Sequence, residues 1–316
     1  MMIRRVEFDH LLLQLAQEAG AELVEGVEIT RAEHRAGMVH LDTREGRSFD
    51  APLVVAADGV YSVVARRLGF NPGWPSSSIA LDMMEETPAD RLRATDGQTL
   101  WVSFAPGGAH GYGYIFPKAR WVNVGVGYVL SSFKSDISQP PYQAHESFIA
   151  KARQRGLLAG ASDRARFTSY QIPIGGPLPV TARRGVYLAG DAGGFVNGFS
   201  AEGIFFAMVS GDLAGRAILD GPSPRRYHRY WRREIGAELR DSRLLSRYLF
   251  ADLSRVDRLV RAVRVFPDVN RLLVSYAVGK LSYQEARRQF LVRFPRVGMR
   301  LAANFLLGRT RQGANA

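Results

Sequence analysis

The sequence has no cysteine. Disulfides, thiolate metal sites and cysteine redox chemistry are therefore excluded. Its six histidines include no pair at a metal-ligand spacing such as HxxxH, so no metal site is expected. There is no run of 18 apolar residues, so the sequence shows no membrane-spanning helix. Acidic residues are scarce in one region only. Residues 221–316 hold 21 Lys+Arg against 7 Asp+Glu, a net of +14, whereas residues 1–220 hold 21 against 23. The start, MMIRRVEFDHLLLQLAQ, places Glu7 and Asp9 early and offers no small-residue cleavage site, so it does not read as a secretory signal. A cytoplasmic chain is expected.

What is present is the composition of a soluble globular protein. Of 316 residues, 46% are apolar and 23% charged, enough for one large or two ordinary domains. The basic last third is almost all arginine. Such a face can meet nucleic acid, anionic lipid or an acidic partner, or can simply be a solvated helical surface.

Residues 7–19 read as a helix, with Leu11, Leu12, Leu15 and Ala19 at helical spacing and Gly20 as its stop. Ala21–Arg31 and Gly37–Thr43 alternate and read as strands. Residues 52–59, PLVVAADG, suit a buried parallel strand whose C-terminal end meets a ligand. Residues 74–131 read as an antiparallel sheet, with aromatics alternating in Thr99–Phe104, Gly111–Phe116 and Trp121–Val129. Gln143–Arg155 reads as a helix and Arg166–Ile172 as a strand. Residues 185–190 form a short buried strand, Ser200–Leu219 a small-residue helix, and the chain is helical from Pro222 with breaks near Pro267 and Pro295.

The chemistry concentrates in Val186–Gly203. An apolar strand delivers Asp191; small residues follow; a Gly-Phe-Ser-Ala-Glu-Gly stretch opens a helix. Glycines let backbone approach a ligand, and a helix start offers free N–H groups and a positive dipole end. A carboxylate there can accept hydrogen bonds from a polyol. The segment resembles the second FAD fingerprint of group A flavoprotein monooxygenases and reductases. It is most similar to the geranylgeranyl reductase family, whose pattern is close to GDAAG-x-x-NP-x-x-GEGI-x-x-A-x-x-SG. Gly190, Asp191, Ala192, Gly194, Asn197, Glu202, Gly203, Ile204, Ala207, Ser210 and Gly211 match. The family proline is Gly198 and the family glycine before the glutamate is Ala201, so a looser flavin-facing loop is expected.

Three further stretches carry the resemblance. Asp58, Gly59, Ser62 and Arg66 match the family Asp-Gly motif, which in relatives lies near the FAD pyrophosphate and is implicated in NAD(P)H use. Arg5, Phe8 and Asp9 match an Arg-x-x-Phe-Asp helix start whose arginine lies beside the flavin; the same resemblance takes the backbone near Val27 past the adenine. Tyr112, Tyr114, Phe116, Pro117 and Lys118, trailed by Asn123-Val124-Gly125, are similar to the signature Tyr-x-Trp-x-Phe-Pro-Lys, with Tyr114 replacing the tryptophan. Strand alternation puts Tyr112, Tyr114 and Phe116 on one face, as a wall for a polyprenyl chain or as sheet-core packing.

The resemblance implies an α/β (α+β) fold. A Rossmann-like FAD-binding domain (1–72 and 160–220) is interrupted by an antiparallel-sheet substrate domain (73–159) and followed by a basic helical region (221–316). It lacks its first βαβ unit, because no GxGxxG occurs. The implied activity is FAD-dependent reduction of isoprenoid C=C bonds with NAD(P)H. The alternatives are a FAD-dependent monooxygenase or hydroxylase, and a truncated non-catalytic remnant that binds membranes. The implied cofactor-binding residues are Arg5, Val27, Asp58, Gly59, Ser62, Arg66, Gly190, Asp191, Gly194, Gly203 and Ile204; no proton donor for the alkene is identified, Tyr112, Tyr114 and Lys118 being candidates by motif proximity alone. The expected partners are an isoprenoid or lipid-linked substrate and, through the basic helices, the inner face of a membrane, with no nucleic acid.

Overall fold

Strand pairing in the computed structural model sets up four sheets among the described residues, which are 3–265, 267–277, 281–289 and 291–292. They divide into one compact unit that ends at Arg247 and a second that begins at Tyr248. Pro295 lies outside the described residues.

Helix α1 (Arg5–Glu18) forms where the leucine spacing expects it. Its apolar face is not buried, however: Leu11 and Leu15 are each 50% exposed, and no residue of the helix is buried. Strand β1 begins only at Ile29 (Ile29–Arg35), so the expected strand from Ala21 is corrected. A strand exists by pairing, and β1 pairs only with β2 (Met38–Thr43), over positions 29–35. The alternation of 21–28 finds no neighbouring ladder. A two-residue turn with both φ positive, Ala36 at 47° and Gly37 at 80°, joins β1 to β2 in the manner of a type I′ hairpin. β3 (Ser48–Ala51) completes this meander.

β4 (Val54–Ala56) leads into the short helix α2 (Val63–Arg67). The antiparallel sheet then comprises β5 (Ile79–Pro88), β7 (Trp101–Phe104), β8 (Gly111–Lys118), β9 (Trp121–Val129) and β11 (Phe167–Pro173), in the order β11-β5-β9-β8-β7. A small pair, β6 (Leu92–Ala94) with β10 (Leu158–Gly160), flanks it. In β5 burial alternates strictly. Leu81 and Met83 lie in one core cluster with Val126, Phe133 and Ala144, whose chain segments include α3 (Leu130–Asp136) and α4 (Pro141–Gln154). The opposite face carries Asp82, Met84 and Glu86. Glu85 is fully buried on the helix side, where Thr87 Oγ1, Ser162 Oγ and the Asp163 N–H donate to its carboxylate at 3.0, 2.6 and 3.2 Å.

The chain then returns to the first layer. β12 (Ala182–Arg183) and β13 (Val186–Leu188) form a three-stranded sheet with β4, in which β13 and β4 are parallel. Val186, Tyr187 and Leu188 are all fully buried. β4 is only half the buried strand expected: it stands at the sheet edge, and Val55 is 41% exposed. Helix α5 starts at Ile204 (Ile204–Leu219), four residues later than expected, because residues 197–203 form a loop. α6 (Pro224–Glu234) and the start of α7 (Gly236–Phe250) pack on it through Tyr227, Trp231, Ile235 and Leu239. The second unit holds α8 (Leu253–Val265) and α9 (Pro267–Ala277).

Candidate functional site

The site grows from the C-terminal end of β13. Gly190 and Gly194 have φ of 55° and 76°, which L side chains rarely adopt. A Cβ at Gly194 would stand 2.5 Å from the Gly176 carbonyl oxygen. The Gly190 N–H donates to buried Ser210 Oγ at 2.9 Å, so α5 fixes the turn from behind. Tyr227 OH donates to the Leu188 carbonyl at 2.7 Å and anchors the strand end. The turn presents Asp191. Burial pushes its carboxyl up to about 6, opposed by the positive charge of Arg5. A Cβ on Gly203 would lie 3.3 Å from Asp191 Oδ1. Arg5, Asp191, Gly203 and Ile204, four separate expectations, are thus brought to one place. Gly203 caps α5, and the adjacent Glu202 Oε1 accepts from the Phe205 N–H at 2.8 Å, so only the remaining first-turn N–H groups are left for a ligand.

The loop between them is held firmly, contrary to the looser loop expected. Asn197 Oδ1 accepts from the N–H groups of Phe199 and Ser200, each at 3.0 Å. The Gly198 N–H donates to Ser242 Oγ at 3.0 Å, a bond that proline could not make. A Cβ at 198 would meet Arg243 Cα at 2.9 Å, so α7 occupies the space that a side chain would need. Arg243 in turn donates through Nη1 to the Gly175 carbonyl at 2.9 Å. Ser242 and Arg243 escaped the sequence reading, since nothing local marks residues that brace a loop 44 positions away.

In the Asp-Gly motif, Asp58 and Ser62 cap α2. Asp58 Oδ2 accepts from the Val64 N–H at 3.2 Å and Ser62 Oγ from the Ala65 N–H at 2.9 Å. Gly59 supplies the turn with φ of 77°. Arg66 points to a cavity of about 390 Å3 walled also by Ser62, Trp74, Lys134, Gln171 and Ala192, so this motif and the residue after Asp191 line one space. No carboxylate lines it, and neither Arg66 nor Lys134 has an ion-pair partner among the described residues. Val27 lies half-buried in the link before β1.

The third wall is the face of the antiparallel sheet turned away from the cluster of Leu81, Met83 and Phe133. Tyr114 stacks on Phe116 at 4.6 Å between ring centres, and Tyr112 lies 6.2 Å from Tyr114. Phe104 bridges Tyr112 to Phe199 of the loop, at 6.4 and 6.0 Å. Tyr112 OH donates to the Ser200 carbonyl, which ties the aromatic face to the loop after Asp191. Lys118 Nζ pairs with Glu86 Oε1 at 2.7 Å, and Glu86 Oε2 accepts from Arg4 at 3.1 Å. The Arg4 guanidinium lies 3.9 Å from the Trp121 ring centre. Lys118 is therefore a neutralised strut at the end of the face. Alternation turns Pro117 to the other face, with core residue Ile115.

One residue on this face was missed. Tyr114 OH donates to Asp82 Oδ2 at 3.1 Å, across the intervening strand β9. The crossing is possible because β9 has Gly125 opposite Tyr114, where a Cβ would fall inside the ring. Burial pushes the Asp82 carboxyl up to about 6, and burial raises both Tyr112 and Tyr114. A lone Asp in a strand carries no local signal of this.

The arrangement fits the flavin end of FAD. It offers a glycine cradle without Cβ atoms, a helix start that Glu202 caps only in part and a half-buried carboxylate beside them. The sequence signature described as "FAD binding domain" matches residues 1–205. The chain belongs to the FAD binding domain family. This FAD-binding chain is 29% identical over 230 residues to Protein FixC of Salmonella typhimurium, covering 69% of itself and 53% of that protein. It is 32% identical over 233 residues to the chloroplastic geranylgeranyl diphosphate reductase of Oryza sativa, covering 70% and 48%. It therefore spans about half the length of these curated relatives. A geranylgeranyl bacteriochlorophyll reductase-like protein of Thermoplasma acidophilum shares its fold, with a TM-score of 0.67 over 94% of this chain and 74% of that one, at 20% identity.

Proposed function

We propose that this FAD-binding chain carries the flavin-side and substrate walls of a reductase that saturates isoprenoid C=C bonds with hydride drawn from NAD(P)H. One observation carries the reading. The aromatic face of Tyr112, Tyr114 and Phe116 is tied through Ser200 to the loop that follows Asp191, so an extended apolar chain lying on those rings runs beside the flavin cradle. The bound flavin supplies the hydride. The chain's own residues position and exclude. Stacked rings would shed water from an alkene chain, the Gly203 helix start and Asp191 would hold the polar edge of the cofactor, and Arg5, itself paired with Asp9 at 2.7 Å, adds positive charge near Asp191.

The cavity beside Arg66 and Lys134 supports the choice of reductant. Two cations without carboxylate neighbours suit the phosphates of a pyridine nucleotide. The +14 charge of residues 221–316 supports docking on the anionic inner face of a membrane, where such substrates dissolve, with the protein otherwise cytoplasmic. The test is to load the chain with FAD, supply NADPH and a geranylgeranyl substrate, and follow product mass. Gain of two hydrogens per double bond is expected. NADPH-driven oxygen insertion instead would mark a hydroxylase, and a chain that takes up no FAD would mark a membrane-binding remnant.

A further inference from the structure

Saturating an alkene needs a hydride on one carbon and a proton on the other, so a site that does this needs an acid as well as a flavin. We infer that Asp82, positioned by Tyr114, supplies that proton. This inference rests on the reading of the chain as an isoprenoid reductase.

The geometry narrows the choice of acid. The substrate face presents Tyr112, Tyr114, Asp82, Glu86 and Lys118. Lys118 and Glu86 neutralise each other, with Arg4 completing the cluster. Tyr112 spends its hydroxyl proton on the Ser200 carbonyl. Tyr114 spends its own on Asp82. Asp82 is the carboxyl left without a cation. Tyr112 and Tyr114 of β8 lie near it, Tyr170 of β11 stands opposite it in register, and Gly127 of β9, paired with it on the other side, puts no side chain against its carboxylate. Burial keeps the carboxyl able to hold a proton up to about pH 6, far above an ordinary aspartate. An acid near the working pH transfers protons best.

The step balances as follows. The hydride taken from the reduced flavin forms one C–H bond with its own electron pair. The π pair of the alkene forms the second C–H bond with the proton of Asp82. The Asp82 O–H bond breaks and leaves a carboxylate, to which Tyr114 OH donates. Solvent would return the proton to Asp82, and hydride from NAD(P)H would replace the hydride that bound flavin supplies. Gly125 serves the same end by leaving the space through which Tyr114 reaches Asp82.

The test has one arm that needs no turnover. In the full chain, tyrosine difference absorbance followed from pH 4 to 8 should show a transition near pH 6 as Asp82 ionises beside Tyr114. The transition should vanish in D82N. In Y114F, loss of a donor to the carboxylate should move the ionisation of Asp82 to higher pH, seen by 13C-carboxyl NMR. In the turnover arm, D82N should lose about 100-fold in alkene saturation. D82E should recover a large part, and Y114F should shift the falling limb of the pH profile upward. Flavin affinity serves as the folding control throughout. A wild-type chain that saturates alkenes, with D82N equal to it in rate and pH profile, overturns the acid role alone. A flavin-loaded wild type that saturates no polyprenyl bond overturns the isoprenoid reading and the acid role with it. If D82N fails to fold, unchanged pH profiles in D82E and Y114F overturn the acid role.

Discussion

Ala201 stands where the resembled family has glycine, and its φ of 55° shows what the glycine is for. An L side chain in that region costs roughly 1–2 kcal/mol, partly offset because glycine loses more entropy on folding. A201G should therefore stabilise the chain by about 0.5–1 kcal/mol, read as a higher melting temperature in calorimetry. Asp191 gives a second prediction. Its folded pKa of about 6 lies above the ordinary 3.8, so the cost of ionising it is absent below pH 3.8 and grows as pH rises through 6. D191N should melt with the wild type at pH 4 and above it at pH 8, by on the order of 2 kcal/mol, while binding flavin less well. A melting difference independent of pH would contradict this. At this scale the sequence was most legible where chemistry and backbone coincide, as at Gly190, Gly194 and Gly203. It was silent at Asp82 and Ser242, whose partners are 32 and 44 positions away.

Elements were legible where periodicity and pairing agree. β8, β9 and β11 form close to their expected bounds because each has a neighbour that uses its alternation. Residues 21–28 alternate without a partner and stay unpaired, and the leucines of α1 keep helical spacing without a surface to cover. Local pattern proposes an element; burial disposes of its faces. The loop 197–203 makes the same point. Its departure from the family proline reads as looseness in sequence, yet α7 supplies the constraint through Ser242 and Arg243. S242A should cost about 1–2 kcal/mol, because the Gly198 N–H is left buried without an acceptor. G198P should cost more, by losing that N–H and meeting Arg243 as well. Chemical denaturation with a parallel flavin titration checks both, and weakened flavin binding should accompany the lost stability.

Across the whole molecule, an α/β layer is interrupted by an antiparallel sheet and resumed. That order was readable, because a parallel strand ending in Asp-Gly and another ending in Gly-Asp flank a run of alternating aromatics. Charge is also a whole-chain property. If the arginine-rich last third meets anionic lipid, the full chain should co-sediment with anionic phospholipid vesicles at low salt. It should be released at about 1 M salt, where screening falls to about 3 Å, and ignore neutral vesicles throughout. Binding to both kinds of vesicle, insensitive to salt, would point to apolar insertion instead.

The sequence by itself determined the flavin-binding family, the glycine turns and the aromatic strand, because each rests on local backbone conformation or on a period of two. Only the tertiary structure decided that Lys118 is neutralised by Glu86 and that Tyr114 reaches Asp82 over Gly125. Those outcomes depend on which side chains share a low-dielectric space, and chain order does not encode proximity across three strands.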